Sequence, residues 1–261
     1  MPAHGEPVTA GPLHREPLTP GPPRPVRPAL LTMRWLDLAF LHWPVDPALV
    51  APLLPPGVRP DVLDGVSYLG LVAFRMHGVG PLGLPGLPYL GSFPETNVRL
   101  YSVGPDGRRG VVFLSLDAAR LLPAVTGRAG LRLRYHWAGM RLRREGDQVT
   151  YASRRRWPGP PARLRLRIRV GERVTEPSAL EQFVTARWGL HTATCDGRTR
   201  YLPNEHPRWQ LYRAELLGLA GNLIEAAGLP RPATPPVSVL YSPGVPVRAG
   251  LPRRVGAASR R

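Results

Sequence analysis

The segment of this chain best equipped for chemistry is Ser92-Phe93-Pro94-Glu95-Thr96-Asn97-Val98-Arg99-Leu100-Tyr101. Read as a strand, its period-two alternation puts Phe93, Glu95, Asn97, Arg99 and Tyr101 on one face and Thr96, Val98 and Leu100 on the other. A carboxylate, an amide, a guanidinium and a phenol then stand in one row. Glu95 and Arg99 are separated by roughly 13 Å at strand rise, so they do not pair with each other, and each needs another partner or a ligand. Such a row is usually a solvated strand face. Here, however, the following segment, Val111-Val112-Phe113-Leu114-Ser115-Leu116, is apolar at almost every position, the pattern of a strand covered on both faces. In a central hairpin the row points into an enclosed space. There Arg99 can grip a carboxylate as a bidentate fork, and a desolvated Glu95 can hold and pass a proton.

Other chemistries are excluded by what is missing. All 35 strongly basic side chains are arginine and none is lysine. No side chain can therefore form a Schiff base, serve as a lysine general base, or act as the lysine of a phosphate-binding P-loop. Histidines 42, 77, 136, 191 and 206 do not fall in ligand spacing, so no metal is called for, and no cofactor motif is present. No serine sits in G-x-S-x-G. Cys195, the one cysteine, excludes an internal disulfide and reads as an incidental loop thiol.

A second feature is a set of segments that alternate apolar residues with arginine: Leu131 to Arg134, Met140 to Arg143, and Arg163 to Val170. Alternation puts every arginine on one face. With Trp137, Tyr151 and Trp157 nearby, that face is the alternative site, a polyanion or nucleic-acid surface. It is the weaker reading, because a solvated sheet face in an arginine-biased chain explains the same pattern and no nucleic-acid-binding motif accompanies it.

The elements that must position these residues are mostly strands. Trp35–Trp43 and Val66–Met76 read as strands, and Gly104-Pro105-Asp106-Gly107 turns one strand of the hairpin into the next. Asp46-Pro47 starts a short helix, and Ser178 with Glu181 has capping-box spacing for a helix running to about Trp188. A further helix is expected within Ala214–Ala227, then closing strands at Val237–Tyr241 and Val245–Ala249. The expected fold class is α+β and β-rich. Residues 1–29 read as a disordered Pro-rich tail, 30–252 as one domain, and 253–261 as a basic tail.

The net charge is +17, which attracts anions. No run approaches the roughly 18 apolar residues of a membrane span, and no basic region followed by an apolar run opens the chain. The expectation is a cytoplasmic protein without membrane insertion; a homo-oligomer is left open.

The stretch Trp35-Leu36-Asp37-Leu38-Ala39-Phe40-Leu41-His42-Trp43-Pro44-Val45-Asp46, followed by Leu53-Leu54-Pro55-Pro56-Gly57, resembles the opening of the YqjF-like proteins. These are bacterial proteins carrying a domain of unknown function. Phe93-x-Glu95-x-Asn97-x-Arg99-x-Tyr101 and Gly110–Ala118 match as well. So do Leu180-Glu181-x-Phe183, Arg187-Trp188-Gly189-Leu190 and His206-x-x-Trp209-x-Leu211. The resemblance covers about residues 33–250. That family is similar to acetoacetate decarboxylase, and the resemblance implies its fold: an antiparallel β-barrel or cone, with a few flanking helices, around a small-molecule cavity. In that enzyme a lysine forms a Schiff base with a β-keto acid, while an arginine near the first strand and a glutamate on a cavity strand bind the substrate. By position the glutamate matches Glu95 and the arginine Arg34. The lysine falls around Leu133-Arg134-Tyr135-His136, where none stands, and arginine stays protonated and cannot replace it. The expectation is a pocket for a small organic anion, with Glu95 as the catalytic group and Asn97, Arg99, Arg34, Tyr101 and Tyr135 as ligand-binding residues. Both a lysine-independent lyase or isomerase and a pure binding protein fit.

Overall fold

Apolar runs of strand length, broken by Gly- and Pro-rich turns, dictate long strands and very little helix. The computed structural model describes residues 15–81, 84–121, 132–194 and 196–256. In chain order the strands are β1 (Ala29–Val45), β2 (Arg59–Pro60), β3 (Ser67–Pro81), β4 (Phe93–Val103), β5 (Arg109–Ala118), β6 (Tyr135–Glu145) and β7 (Gln148–Trp157). They continue with β8 (Arg163–Arg173), β9 (Gly189–Ala193), β10 (Thr199–Glu205), β11 (Tyr212–Gly221), β12 (Ser238–Gly250) and β13 (Arg253–Arg254). Among the described residues three short α-helices intervene, α1 (Pro47–Val50), α2 (Ala179–Thr185) and α3 (Leu223–Ala226), with a 3-10 turn at Ala51–Leu53. Asp46 caps α1 by accepting from the Ala48 N–H at 2.8 Å. Both bonds of the expected capping box open α2, which ends at Thr185, short of Trp188.

The described strands form one sheet, and two of them are shared along their length. One edge of β5 pairs with β4. Its other edge is divided: Leu116–Ala118 run parallel to β6, and Val111 pairs with Leu190 of β9. The long strand β12 divides in the same way. It pairs with β1 on one edge and, on the other, with β11 through Leu240 and Tyr241 and with β10 through Arg248 and Ala249. The wall β12–β1–β3–β4–β5 therefore belongs to two closed circuits. One is a barrel of nine strands, β5–β6–β7–β8–β11–β12–β1–β3–β4. The other runs β12–β1–β3–β4–β5–β9–β10.

Each face of the wall looks into a different circuit, as alternation requires. Leu41, Leu71, Val98 and Leu100 pack into the nine-strand barrel against Leu166 and Ile168 of β8 and Leu223 of α3. Phe40, Val72, Phe74 and Met76 face the second circuit with Phe93 and Leu211. This double coverage is why β5 reads as apolar at nearly every position.

Two expectations change. Residues 214–227 hold strong helix formers, yet Tyr212–Gly221 is strand β11, laddered against β8, and only Leu223–Ala226 is helical. Pairing with an exposed strand edge outweighs a weak local propensity. The two closing strands are a single strand, β12, with Gly244 at φ +129° between them. In the Pro-rich region, residues 15–28 form no regular element but touch the body. Val26 is buried and donates its N–H to Glu205 Oε2 at 2.6 Å, and Arg109 Nε donates to Glu16 O at 2.6 Å. Residues 1–14, Gly127, Arg128, Leu131, Cys195 and 257–261 lie outside the described residues. Among the described residues no helix is long and apolar enough to cross a membrane.

Candidate functional site

Within the second circuit lies a cavity of about 210 Å³. The wall gives it one side: Phe40 from β1, Val72 and Phe74 from β3, and Glu95, Asn97 and Arg99 from β4 all line it. Three members of the polar row, Glu95, Asn97 and Arg99, thus face one cavity. Glu95 and Asn97 are each 3 % exposed, so their polar atoms must find partners inside the protein or in a ligand.

Arg99 is placed by an absence on the neighbouring strand. Gly70 of β3 stands opposite it, and a Cβ there would come within 3.1 Å of both Arg99 Cγ and the Tyr101 hydroxyl. The missing side chain leaves the room in which the guanidinium lies. Arg99 Nη2 donates to Val184 O at 3.1 Å and Nε to Tyr101 Oη at 3.3 Å. Its Cζ is 5.6 Å from the Phe40 ring centroid and 5.5 Å from that of Tyr101. Val184 sits in the last turn of α2, whose carbonyls have no intrahelical donors. No ion pair among the described residues includes Arg99.

A second guanidinium enters just beyond the same helix. Arg187 is 5 % exposed, and its Nη1 donates to Asp61 Oδ2 at 2.6 Å. Asp61, fully buried, is also held by Arg109 Nη1 at 2.6 Å. The Arg187 guanidinium lies 4.3 Å from the Phe183 ring centroid. Its Nε and Nη2 atoms, and Asn97 Oδ1, are buried without a hydrogen-bond partner among the described residues. Both residues line the cavity, so these are the groups a ligand would satisfy.

Glu95 brings a carboxyl to the cavity. Burial pushes its carboxyl up to about 8, a hydrogen bond donated by Tyr135 Oη at 3.1 Å pulls it part of the way back, and the Asp117 charge raises it again. At neutral pH the group is therefore mostly protonated. Asp117 lies on the other side of the wall, fully buried, and is neutralised by Arg155 at 2.7 Å. Burial and the neighbouring Glu95 push the Tyr135 phenol well above its ordinary value. The histidines at the site stay neutral: burial, then Arg99 and Arg187, hold His42 well below its usual value, and burial lowers His206 to about 4. With Glu95 protonated and Asp61 shared between two arginines, the balance of charge around the cavity is positive.

The site residues expected from sequence divide three ways. Glu95, Asn97, Arg99 and Tyr135 line one cavity. Tyr101 lies behind them, its hydroxyl taken up by His42 Nε2 at 2.7 Å and Val184 O at 3.0 Å. Arg34 is exposed; strand alternation turns it outward, and its neighbours Met33 and Trp35 face the cavity instead. Sequence reasoning assigned no role to Arg187 or Trp209. Both sat in segments that carried the family resemblance, but nothing local marks a residue after a helix as buried.

The arginines of β8 behave as alternation requires: Arg163, Arg165, Arg167 and Arg169 are exposed, while Leu164, Leu166 and Ile168 are buried. With Arg141 and Arg143 of β6 they share the outer face of the nine-strand barrel. A wider depression beside them, about 880 Å³, is lined by Arg120, Arg141, Arg154 and Arg156. Exposed guanidinium groups are hydrated and need no partner, which distinguishes them from Arg99.

A model of the DUF2071 family, described as an uncharacterized conserved protein, matches residues 32–246. The uncharacterized protein YqjF of Bacillus subtilis (strain 168) is 29 % identical over 209 residues, covering 80 % of this chain and 86 % of that one. Among solved structures, an acetoacetate decarboxylase-like enzyme from Sphingomonas wittichii RW1 superposes with a TM-score of 0.59 at 14 % identity, over 88 % of this chain and 94 % of the other. The enduracididine biosynthesis enzyme MppR complexed with pyruvate gives 0.57 at 13 % identity, over 90 % and 93 %. At these identities the likeness is one of fold: the chain has the β-rich barrel of acetoacetate decarboxylase-like proteins.

Proposed function

The chain belongs to the DUF2071 family of uncharacterized conserved proteins, and from that membership and its cavity we propose that it binds a small organic anion between Arg99, Arg187 and Asn97, next to Glu95 as a proton donor. The observation that carries this reading is Arg99, a half-buried guanidinium lining the cavity with no carboxylate among its contacts with the described residues. A cation partly withdrawn from water gains from a counter-charge, and a bound carboxylate provides one with the bidentate geometry a guanidinium prefers. The pyruvate complex of MppR, a small 2-oxo acid held by a protein of this fold, is consistent with such a ligand.

Glu95 extends the proposal to chemistry. A carboxylic acid that is protonated at neutral pH can donate to an anion's oxo group as a carbon-bound proton leaves to solvent water in the cavity, and can take its proton back when water reprotonates the carbon. The reaction class this supports is proton transfer next to a carboxylate, as in a lyase or isomerase that works without a Schiff base. Lysine-dependent decarboxylation lies outside the chain's chemistry, since no lysine is present.

The test is a thermal-shift and isotope-exchange experiment with pyruvate, acetoacetate and other short acids at fixed salt. Wild type should melt higher with a binding acid, by about 2.7 kcal/mol of added stability at a hundredfold excess over Kd. Arg99→Ala should lose the shift. Glu95→Gln should keep it but lose deuterium incorporation from solvent into the acid. If no acid shifts the wild type, or if Arg99→Ala responds equally, the reading fails.

A further inference from the structure

Resting on the anion-site reading above, we infer that the ligand is an aryl-substituted short carboxylic acid, a phenyl ring on a two- or three-carbon acid chain, rather than a compact acid. The inference comes from the walls of the cavity beyond its charged end. Strand register orders them. Arg99 stands opposite Gly70, Asn97 opposite Val72, and Glu95 opposite Phe74, with Phe93 opposite Met76 one step further. On the next strand, Val72 faces Phe40 and Met76 faces Trp35. Moving away from Arg99 along the wall, the register passes from guanidinium to amide to acid and then to the row of Phe93, Met76 and Trp35, where the His206 ring packs against Trp35 at 5.9 Å.

Four aromatic side chains lining the cavity form a continuous edge that starts at Phe40 in the Asn97 row, beside the Arg99 guanidinium, and ends at Trp35 in the Phe93 row. Trp209 meets Phe40 edge-on with centroids 5.4 Å apart and stacks on Trp35 at 6.1 Å with planes 14° apart. Trp35 in turn meets the Phe74 edge at 6.1 Å. Such a set offers both faces and edges to a flat ring, the geometries aromatic pairs prefer. Trp209 is fixed in place by its own donor, the indole N–H bonding Thr185 O at 3.1 Å, so it stands as a preformed wall.

Size selects among apolar acids. An apolar cavity of about 150 Å³ accepts benzene. The 210 Å³ here leaves room for a ring and a short acid chain. A two- or three-carbon acid alone would leave the aromatic end unfilled and forfeit its contacts. An acid with a ring and a long spacer would exceed the space.

Direct binding by calorimetry, at one pH and ionic strength, tests this with wild type alone. The probes are acetate, propanoate, phenylacetate, 3-phenylpropanoate, 5-phenylpentanoate and the neutral isostere 3-phenylpropan-1-ol. Burying the ring should make 3-phenylpropanoate about thirtyfold tighter than propanoate, and 5-phenylpentanoate should fall back as the cavity overfills. The alcohol should bind more weakly than the matching acid. Two variants then separate the ends: Trp209→Leu should remove most of the ring's advantage and keep the preference for acid over alcohol, while Arg99→Met should do the reverse. Acetate and propanoate binding as tightly as the phenyl acids would overturn the aryl-acid inference and leave the anion site standing. No binding by any acid would overturn both.

Discussion

Glu95 is a carboxyl kept from water, and its protonation should be visible in stability. Its ordinary value is 4.5 and the folded protein raises it to about 8. Below pH 4.5 the group is protonated whether the chain is folded or not. Above that, the unfolded chain gives up the proton first, so the stabilisation is complete below 4.5 and is lost as pH rises toward 8. The slope in that window is about 1.4 kcal/mol per pH unit. Buried histidines act in the opposite sense: His191 and His206, each lowered to about 4 by burial, withdraw stability as pH falls from 6.5. Comparing wild type with Glu95→Gln cancels them, because only Glu95 differs. The variant should gain in melting temperature relative to wild type from pH 5 to pH 8 and level off above. A difference that does not change with pH would mean that Glu95 is ionised in the folded state. Its type and spacing were legible in the sequence, since alternation alone sets Glu95, Asn97 and Arg99 on one face. What alternation does not carry is what meets that face from distant segments, which is why Arg187 and Trp209 are not anticipated at the cavity and Arg34, whose side chain is exposed, is expected there.

The elements were legible where local signals agreed with tertiary pairing. Asp46-Pro47 and the Ser178–Glu181 box start helices because their bonds are local and reach at most three residues. The turn at 104–107 joins β4 to β5 for the same reason. The segment at 214–227 was misread because Ala, Glu and Leu favour helix locally, whereas β8 offers a free edge that only the folded chain provides. Gly244 is the element-scale feature with the sharpest consequence. It sits in β12 at φ +129°, and a Cβ there would lie 2.1 Å from Trp35 O and 2.9 Å from Leu36 Cα. These are backbone atoms of β1, which cannot yield. Gly244→Ala should cost about 3 kcal/mol and displace Trp35. Gly146, at φ +62° with open space around its Cβ position, should cost only about 1 kcal/mol when changed to alanine. Urea midpoints of the two variants check this; equal losses would mean that β12 can shift off β1 at little cost.

On the scale of the whole molecule both circuits close onto the shared wall through short ladders. The nine-strand barrel contains long ladders, including most of β7 against β8 and β8 against β11, but meets the wall through two residue pairs between β11 and β12 and three between β5 and β6. The second circuit is closed by two residue pairs between β10 and β12 and one between β5 and β9. Short closures open at lower free energy than long ones. In hydrogen exchange, the amides at the β10–β12 and β5–β9 contacts should lose protection well before those of β7 and β8, and a bound acid should slow them selectively. Uniform protection across both circuits would show that they open as one. The shared wall has a consequence for how such a protein can change over generations. Neighbouring positions of β4 serve different chambers, with Glu95, Asn97 and Arg99 in one and Val98 and Leu100 in the other. Point substitutions can therefore reshape the cavity lining at alternate positions without disturbing the barrel core. A single inserted or deleted residue in that strand would exchange the contents of the two chambers, burying the charges in the core and emptying the site in one step. Length variation is then confined to the turns, and side-chain identity along the wall is left as the heritable variable.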